Sequence, residues 1–278
     1  MNSFYVVSPI HQVGHNRIDI AFGPAENQAI EAVFNVNNSI LGEQKIRQAI
    51  SLALDGDAIN ANVYGSMAIS GAGTAGPGVP GYVEDLYDDY FYFDPDEAEA
   101  ILTELGWEDT DGDGIREKEG ANLEFVLEIF ASETNSQFGA AIVTMLQAVG
   151  MDVTLETSEM GTYIQDIMGG AEKAFLMTGW CGEGGTSSLW GRGAFGSALG
   201  VADEDVFTLL EEASTILDRD ARDAKLKEAT ERIYSLYWGS CLGFNDFAMA
   251  ARSYVHDYHG TYWHENLVTD FNNVWVEK

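Results

Sequence analysis

The stretch that most constrains the fold is residues 123–130. Leu123, Phe125, Leu127 and Ile129 alternate with period two, while Val126 and Phe130 make the opposite face apolar as well. A strand apolar on both faces needs cover on both faces, so it predicts a buried sheet with helices packed above and below. The surrounding sequence supplies those helices. Asp94-Pro95-Asp96-Glu97 combines an N-cap acid, a first-turn proline and a glutamate three residues after the cap. Ala98, Ile101, Leu102 and Leu105 then form one apolar face, which Gly106 terminates. Phe138, Ile142, Met145, Leu146 and Val149 form the next helical stripe, closed by Gly150, and Val153 and Leu155 resume strand alternation. A short helix over residues 161–168 leads to an apolar strand starting at Ala174. Helices and strands alternating in units of this length predict the α/β class.

Ahead of this region the periodicity is weaker. Residues 4–7, 17–22 and 32–34 read as strands, and 43–54 and 58–64 as helices. Residues 65–93 form a long glycine- and proline-containing arm that turns aromatic at Tyr87, Tyr90, Phe91, Tyr92 and Phe93, which suits rings gluing the arm to the core. Two helices are expected over 204–217 and 219–238, the second with Glu228 and Arg232 as an exposed i,i+4 pair. Strands are expected over 240–244 and 248–255.

The strand from Ala174 ends abruptly in Gly179, Trp180, Cys181 and Gly182, followed by Glu183, Gly184, Gly185, Thr186, Ser187, Ser188, Leu189, Trp190, Gly191, Arg192 and Gly193. Glycine freedom combined with aromatic and charged side chains suits a loop that walls a pocket. A mobile loop with two satellite-packed tryptophans fits the same residues.

The net charge of −31 sets long-range repulsion against nucleic acid and anionic membrane surfaces, so a nucleic-acid function is not expected. No apolar run approaches the roughly 18 residues of a membrane span, and residues 1–16 lack the basic-then-apolar pattern of a signal peptide. Membrane insertion by this chain is not expected. Cys181 and Cys241 alone make neither a disulfide framework nor a zinc site.

Asp109, Asp111 and Asp113 stand at alternate positions before Gly114, which is the first half of a calcium loop. Ile115 offers a carbonyl and Glu117 a carboxylate, but Gly120 occupies the place of the closing bidentate glutamate. A calcium-occupied turn and a metal-free Asp/Gly turn both fit. His256, His259 and His264 lie close in sequence with no cysteine nearby, and read as ordinary surface or core histidines. No P-loop or G-x-S-x-G motif is present, and no G-x-G-x-x-G is read as opening a helix.

The order of several pieces resembles the peptide- and nickel-binding class, family 5, of solute-binding proteins of ABC importers. They are Phe34-Asn35, I-R-Q-A-I-S-L-A-L-D-G-D-A-I from Ile46, F-D-P-D-E-A-E-A-I-L-T-E-L-G-W from Phe93, D-T-D-G-D-G-I-R-E-K-E-G from Asp109, G-M-D-V from Gly150 and M-T-G-W from Met177. Together they span roughly residues 33 to 260. The resemblance implies a periplasmic-binding-protein-like lobe, a mixed sheet flanked by helices, within a two-lobed extracytoplasmic receptor that closes on a small-molecule or peptide solute and delivers it to an ABC permease. Family members are longer, so residues 35–245 are expected to be the solute-binding lobe. Residues 1–34 would lead from a first lobe missing here, and 246–278 would return toward it.

By the same resemblance, the strand ending at Gly179-Trp180 faces the interlobe cleft. Many peptide-binding members continue there with an acidic residue and an Asp-Pro pair that holds the peptide amino group; this chain lacks Asp-Pro. The candidate contacts are Trp180 and Trp190 for stacking, Glu183 for an amine, Arg192 for a carboxylate, Ser187 and Ser188 for hydrogen bonds, and Asn35 at a hinge crossing. Cys181, which ends one cleft-side strand, and Cys241, which begins the return strand, would be able to pair in an oxidising compartment. No cofactor is required, and calcium is the one candidate ion. The chain is expected to be non-catalytic; the rivals are an acidic-cleft hydrolase and a calcium-stabilised cell-surface module.

Overall fold

The structure, a computed structural model, describes residues 5–7, 18–22, 28–65, 68–77, 79–180, 182–245, 248–256, 260–263, 266–269 and 274–277. The chain opens with β1 (Tyr5–Val7), β2 (Ile18–Phe22) and β3 (Gln28–Phe34). Helices α1 (Gln44–Leu52) and α2 (Gly56–Val63) start on side-chain caps, the latter with Asp55 accepting from the Ala58 amide. The arm carries β4 (Ala68–Ile69) and α3 (Leu86–Tyr90). Helix α4 (Pro95–Glu104) begins as its sequence predicts, with the Asp94 carboxylate accepting from the Glu97 amide.

A small hairpin, β5 (Glu117–Lys118) with β6 (Ala121–Asn122), precedes the inner strand β7 (Glu124–Phe130). Then come α5 (Glu133–Ala148), β8 (Asp152–Ser158), α6 (Met160–Met168) and β9 (Ala174–Trp180). Four helices follow: α7 (Gly182–Trp190), α8 (Phe195–Ala198), α9 (Glu204–Thr215) and α10 (Arg219–Ser235). The chain returns through β10 (Gly239–Asn245) and β11 (Ala248–Arg252), and closes with β12 (Val255–His256), β13 (Gly260–Trp263), β14 (Asn266–Thr269) and β15 (Trp275–Val276).

The main sheet has the order β4-β10-β3-β9-β7-β8. Strand β7 runs parallel to β8 and β9, whereas β3 is antiparallel to β9 and β10, so the sheet is mixed as expected. Strand alternation divides the core. Ala32, Phe34, Ala174 and Leu176 face one cluster with α1, α2, α4 and α5, while Val33, Phe175 and Met177 face a second with α6, α9 and α10. Both faces are covered, as residues 123–130 required. Strand β3, which precedes residue 35, lies inside this sheet. The apolar residues of β3 feed both clusters, and only a central position satisfies that. A separate three-stranded sheet pairs β1, β2 and β11.

The arm is glued down by aromatic rings, as expected. Phe91 is buried, and its ring lies edge-on to Tyr234 and Tyr237 at centroid distances of 5.8 and 5.9 Å. Strand β10 carries a register shift between Cys241 and Gly243, where Gly243 has φ +144 and an added Cβ would run into the Ile69 carbonyl. The expected Glu228–Arg232 pair does not form. Arg232 instead reaches the α9 cap Asp203 at 2.7 Å, and Glu228 binds Lys225 at 2.9 Å. A cap acid already held by the Val206 amide is a better-fixed partner than a mobile surface glutamate.

Candidate functional site

Because β7, β8 and β9 are parallel, their carboxyl ends at Phe130, Ser158 and Trp180 lie along one edge of the sheet. Each then feeds a helix. Ser132 caps α5, its hydroxyl accepting from the Asn135 amide at 3.0 Å. Glu159 precedes α6 without a side-chain cap bond, and α7 starts at Gly182 directly after β9. The edge therefore presents the amide-rich, positive ends of three helices, the position where open α/β sheets bind ligands.

Beside these helix starts is an apolar pocket of about 110 Å³, lined by Phe130, Met160, Tyr163, Ile167, Met177 and Phe195 among others. Its inner wall is fixed. The Tyr163 hydroxyl donates to the Leu176 carbonyl at 2.8 Å, and its ring meets Phe130 and Phe175 edge-on at 5.8 and 5.7 Å. Burial pushes the Tyr163 phenol above its ordinary range.

Lys173, just before β9, locks α6 to the sheet. Its ammonium lies 2.9 Å from Glu128 on β7, 3.1 Å from Glu156 on β8 and 2.8 Å from Asp166 on α6. Burial alone would lower the Lys173 pKa, but hydrogen bonds to Asp166, Glu128 and Glu156 outweigh it and raise the value. The Lys173 hydrogen bond holds the Asp166 carboxyl below its usual range.

A second buried acid, Glu31 on β3, is fully enclosed in the core. It accepts from the Tyr234 hydroxyl at 3.1 Å and lies 3.7 Å from the Cys241 sulfur, and burial pushes its pKa up to about 7. Neither acid was singled out from sequence. The available signal was a glutamate at an inward strand position, Glu31 within A-I-E-A-V-F and Glu128 within V-L-E-I-F.

The predicted site residues separate into two groups. Trp180 ends β9, and Glu183 lies in the first turn of α7, so both fall at the carboxyl edge. The expected glycine loop is, however, a helix from Gly182 to Trp190. Thr186, Leu189 and Trp190 share a buried helical face, and their burial overrides the poor helix propensity of the glycines. Trp190 is consequently core: it is 0% exposed and packs on Trp238 at 5.8 Å and Tyr234 at 6.5 Å.

Arg192 is also accounted for within the protein. It forks onto Glu204 at 3.0 and 2.8 Å, reaches Glu211 at 2.9 Å and covers the Phe207 ring. Ser187 and Ser188 are exposed on α7, with the Ser188 hydroxyl turned back to the Gly185 carbonyl at 3.0 Å. Asn35 is buried, and both amide hydrogens are used: it donates to Gly170 at 2.9 Å and Ala171 at 2.8 Å while accepting from the Asn37 amide. It ties two turns together and has no donor left for a solute. Cys181 lies outside the described residues, and with it the Cys181–Cys241 pairing. His259 and His264 lie outside them too; His256 stacks on Trp275 at 4.0 Å.

In the acidic turn, oxygens of Asp109, Asp111, Asp113 and Glu117 all lie within 4.8 Å of one another. Asp109 accepts from the Gly112 and Gly114 amides at 2.7 and 3.0 Å, and Asp113 accepts from Ile115 at 2.8 Å. These bonds shape the turn without a metal and leave four hard oxygen donors convergent, a set suited to calcium. Among the described residues, no helix is long and apolar enough to cross a membrane.

The sequence model of the bacterial extracellular solute-binding proteins, family 5 middle region, matches residues 12–192. An oligopeptide-binding protein, AppA of Bacillus subtilis, is 25% identical over 135 residues, covering 48% of this chain and 25% of its own length. The dipeptide-binding protein of Escherichia coli is 28% identical over 159 residues, 55% of this chain and 26% of the relative. Solved structures agree in fold. AppA of Bacillus subtilis, in complex with a nonapeptide, superposes with a TM-score of 0.78 at 19% identity, covering 94% of this chain and 53% of that one. NikA from Brucella suis, in complex with Fe(III)-EDTA, gives 0.72 at 22% identity, with 85% and 48% covered. The chain thus spans about half the length of these solved structures.

Proposed function

We propose that this chain, which belongs to the bacterial extracellular solute-binding proteins of family 5, is the ligand-binding lobe of an extracytoplasmic receptor serving an ABC importer. The solute is a peptide or a related small molecule, held between this lobe and a second one and then passed to a permease. What carries the proposal is the carboxyl edge of β7, β8 and β9, where three helix starts and an apolar pocket meet beside Trp180 and Glu183. Trp180 stacks on the solute and Glu183 receives a cationic group such as a peptide amine. Ser187 and Ser188 give hydrogen bonds from the exposed side of α7.

The role is binding without chemistry. The carboxyl with the raised pKa, Glu31, is sealed in the core, away from any surface where a substrate would meet a general acid. Titration of the chain with short peptides, followed by isothermal calorimetry or NMR, tests the proposal. Saturable binding without turnover, weakened in Trp180→Ala, is the expected result; cleaved peptide in the recovered mixture would instead make the protein a hydrolase.

We further propose that the Asp109–Asp111–Asp113–Glu117 turn takes calcium as a structural ion. The convergence of four carboxylates supports this, and it is independent of the solute-binding role.

A further inference from the structure

The pocket under the carboxyl edge has features that the general role of a solute-binding lobe does not explain. None of its lining residues is charged. Its floor is rigid, since Tyr163 and Ile167 are buried, the Tyr163 hydroxyl is satisfied by a backbone carbonyl, and Lys173 straps α6 across three acids. Its rim is the reverse. Met160 is 50% exposed and Ile164 37% exposed, on one side of α6 at i,i+4 spacing, so apolar surface is left in water at the mouth. Methionine contributes on both floor and rim, through Met177 and Met160, and its unbranched thioether adapts to differently shaped apolar partners.

The position matters as much as the lining. Met177 and Thr178 stand three and two residues before Trp180 on β9, which places the pocket about 10 Å or less along the strand from the strand's end. That distance is roughly the reach of three extended residues. A peptide whose amino group sits near Glu183 therefore has a nearby side chain within reach of the pocket.

The geometry points to this pocket as a subsite for one uncharged, apolar side chain of the solute, of leucine or methionine size. The 110 Å³ volume selects the aliphatic side chains, because a dry apolar cavity of roughly 150 Å³ is what holds a benzene ring. Charged and strongly polar side chains are rejected, because they would lose water and meet no hydrogen-bonding group beyond the Thr178 hydroxyl at the lining. This assignment rests on the receptor role proposed above and gives it a substrate preference.

The test uses the chain with 13C-labelled methionine methyl groups, titrated with tetra-alanine and with four analogues that carry one leucine at each position in turn. Methyl NMR detects binding into the millimolar range, as a single lobe demands. The expected result is that at least one leucine analogue binds about tenfold more tightly than tetra-alanine, with saturable shifts at the Met160 and Met177 methyls. Ile164→Gln and Met160→Gln, both at partly exposed positions, should each remove most of that gain while leaving the melting temperature nearly unchanged. Equal binding of all five peptides, or a leucine gain that leaves Met160 and Met177 unshifted, overturns the subsite while leaving the receptor role standing. Binding of none of the five overturns the subsite together with the reading of the solute as a peptide.

Discussion

The Tyr234 hydroxyl donates to the Glu31 carboxylate across 3.1 Å of core, joining α10 to β3 where both side chains are fully buried. No cation lies among the groups that perturb Glu31, so burial dominates and its pKa rises from 4.5 to about 7. A carboxyl whose folded pKa is raised binds its proton more tightly in the fold than in the unfolded chain. Stability contributed by the protonated form is therefore complete below about pH 4.5, declines as pH rises to about 7, and is lost above that, a change of about 3 kcal/mol. Glu31→Gln should abolish this component. Thermal melts at pH 5 and pH 8 should show the variant more stable than the parent at pH 8 and close to it at pH 5. Equal differences at the two pH values would show that Glu31 does not titrate in this window.

Lys173 offers the opposite case, a buried acid with a cation. Lys173→Met leaves Glu128, 0% exposed, with no positive partner, and loosens the strap between α6 and the sheet. A loss of about 3 kcal/mol in denaturant unfolding is expected. Adding Glu128→Leu should recover a substantial part of that loss, because the stranded charge is removed as well. If the double variant is no more stable than Lys173→Met, the loss comes from packing around the lysine stem.

These two acids also show where the sequence stopped being informative. The α/β alternation and the Asp94 cap are legible because each rests on local periodicity or on a cap within one turn, whereas periodicity is weak before residue 35 and β3 starts at Gln28, ahead of the expected strand at 32–34. The fourfold acidic turn was legible for the same reason, its ligands being close in sequence. Lys173 and Glu128, in contrast, are brought together by parallel strand pairing, and nothing local marks a lysine before β9 as their strap. Helix α7 was misread because propensity alone puts Gly184 and Gly185 in a loop. Only the tertiary burial of Leu189 and Trp190 turns that segment helical. Trp180 and Glu183 kept their place at the edge because strand end and helix start are adjacent in the chain.

The reassignment of Trp190 from pocket wall to core makes a distinct prediction. Its indole is enclosed by Tyr234 and Trp238, so Trp190→Ala should cost about 3–5 kcal/mol through the cavity it opens. Trp190→Phe should keep the fold at a smaller cost and bind peptide as the parent does. Trp180→Ala should show the reverse, near-parental stability with weakened binding. Equilibrium unfolding run alongside peptide titration separates the two; a Trp190→Phe protein of unchanged stability that has lost peptide binding would return Trp190 to the site.

The acidic turn is testable by metal removal. Asp109 and Asp113 already shape the turn through the Gly112, Gly114 and Ile115 amides, so the apo protein should remain folded in a chelator. Calcium binds only the folded turn, because the unfolded chain does not hold the four carboxylates together. At a concentration about a hundred times its dissociation constant it should add about 2.7 kcal/mol. In a protein of this size that is on the order of a 5–10 °C rise in melting temperature. Asp111→Asn removes one anionic oxygen donor at an exposed position and should shrink the rise while leaving the melting temperature in chelator unchanged or slightly higher, since one like charge has gone. A parent melting temperature that is the same in calcium and in chelator would make the turn a metal-free Asp/Gly turn, with its four carboxylates held by backbone amides and the Thr110 hydroxyl.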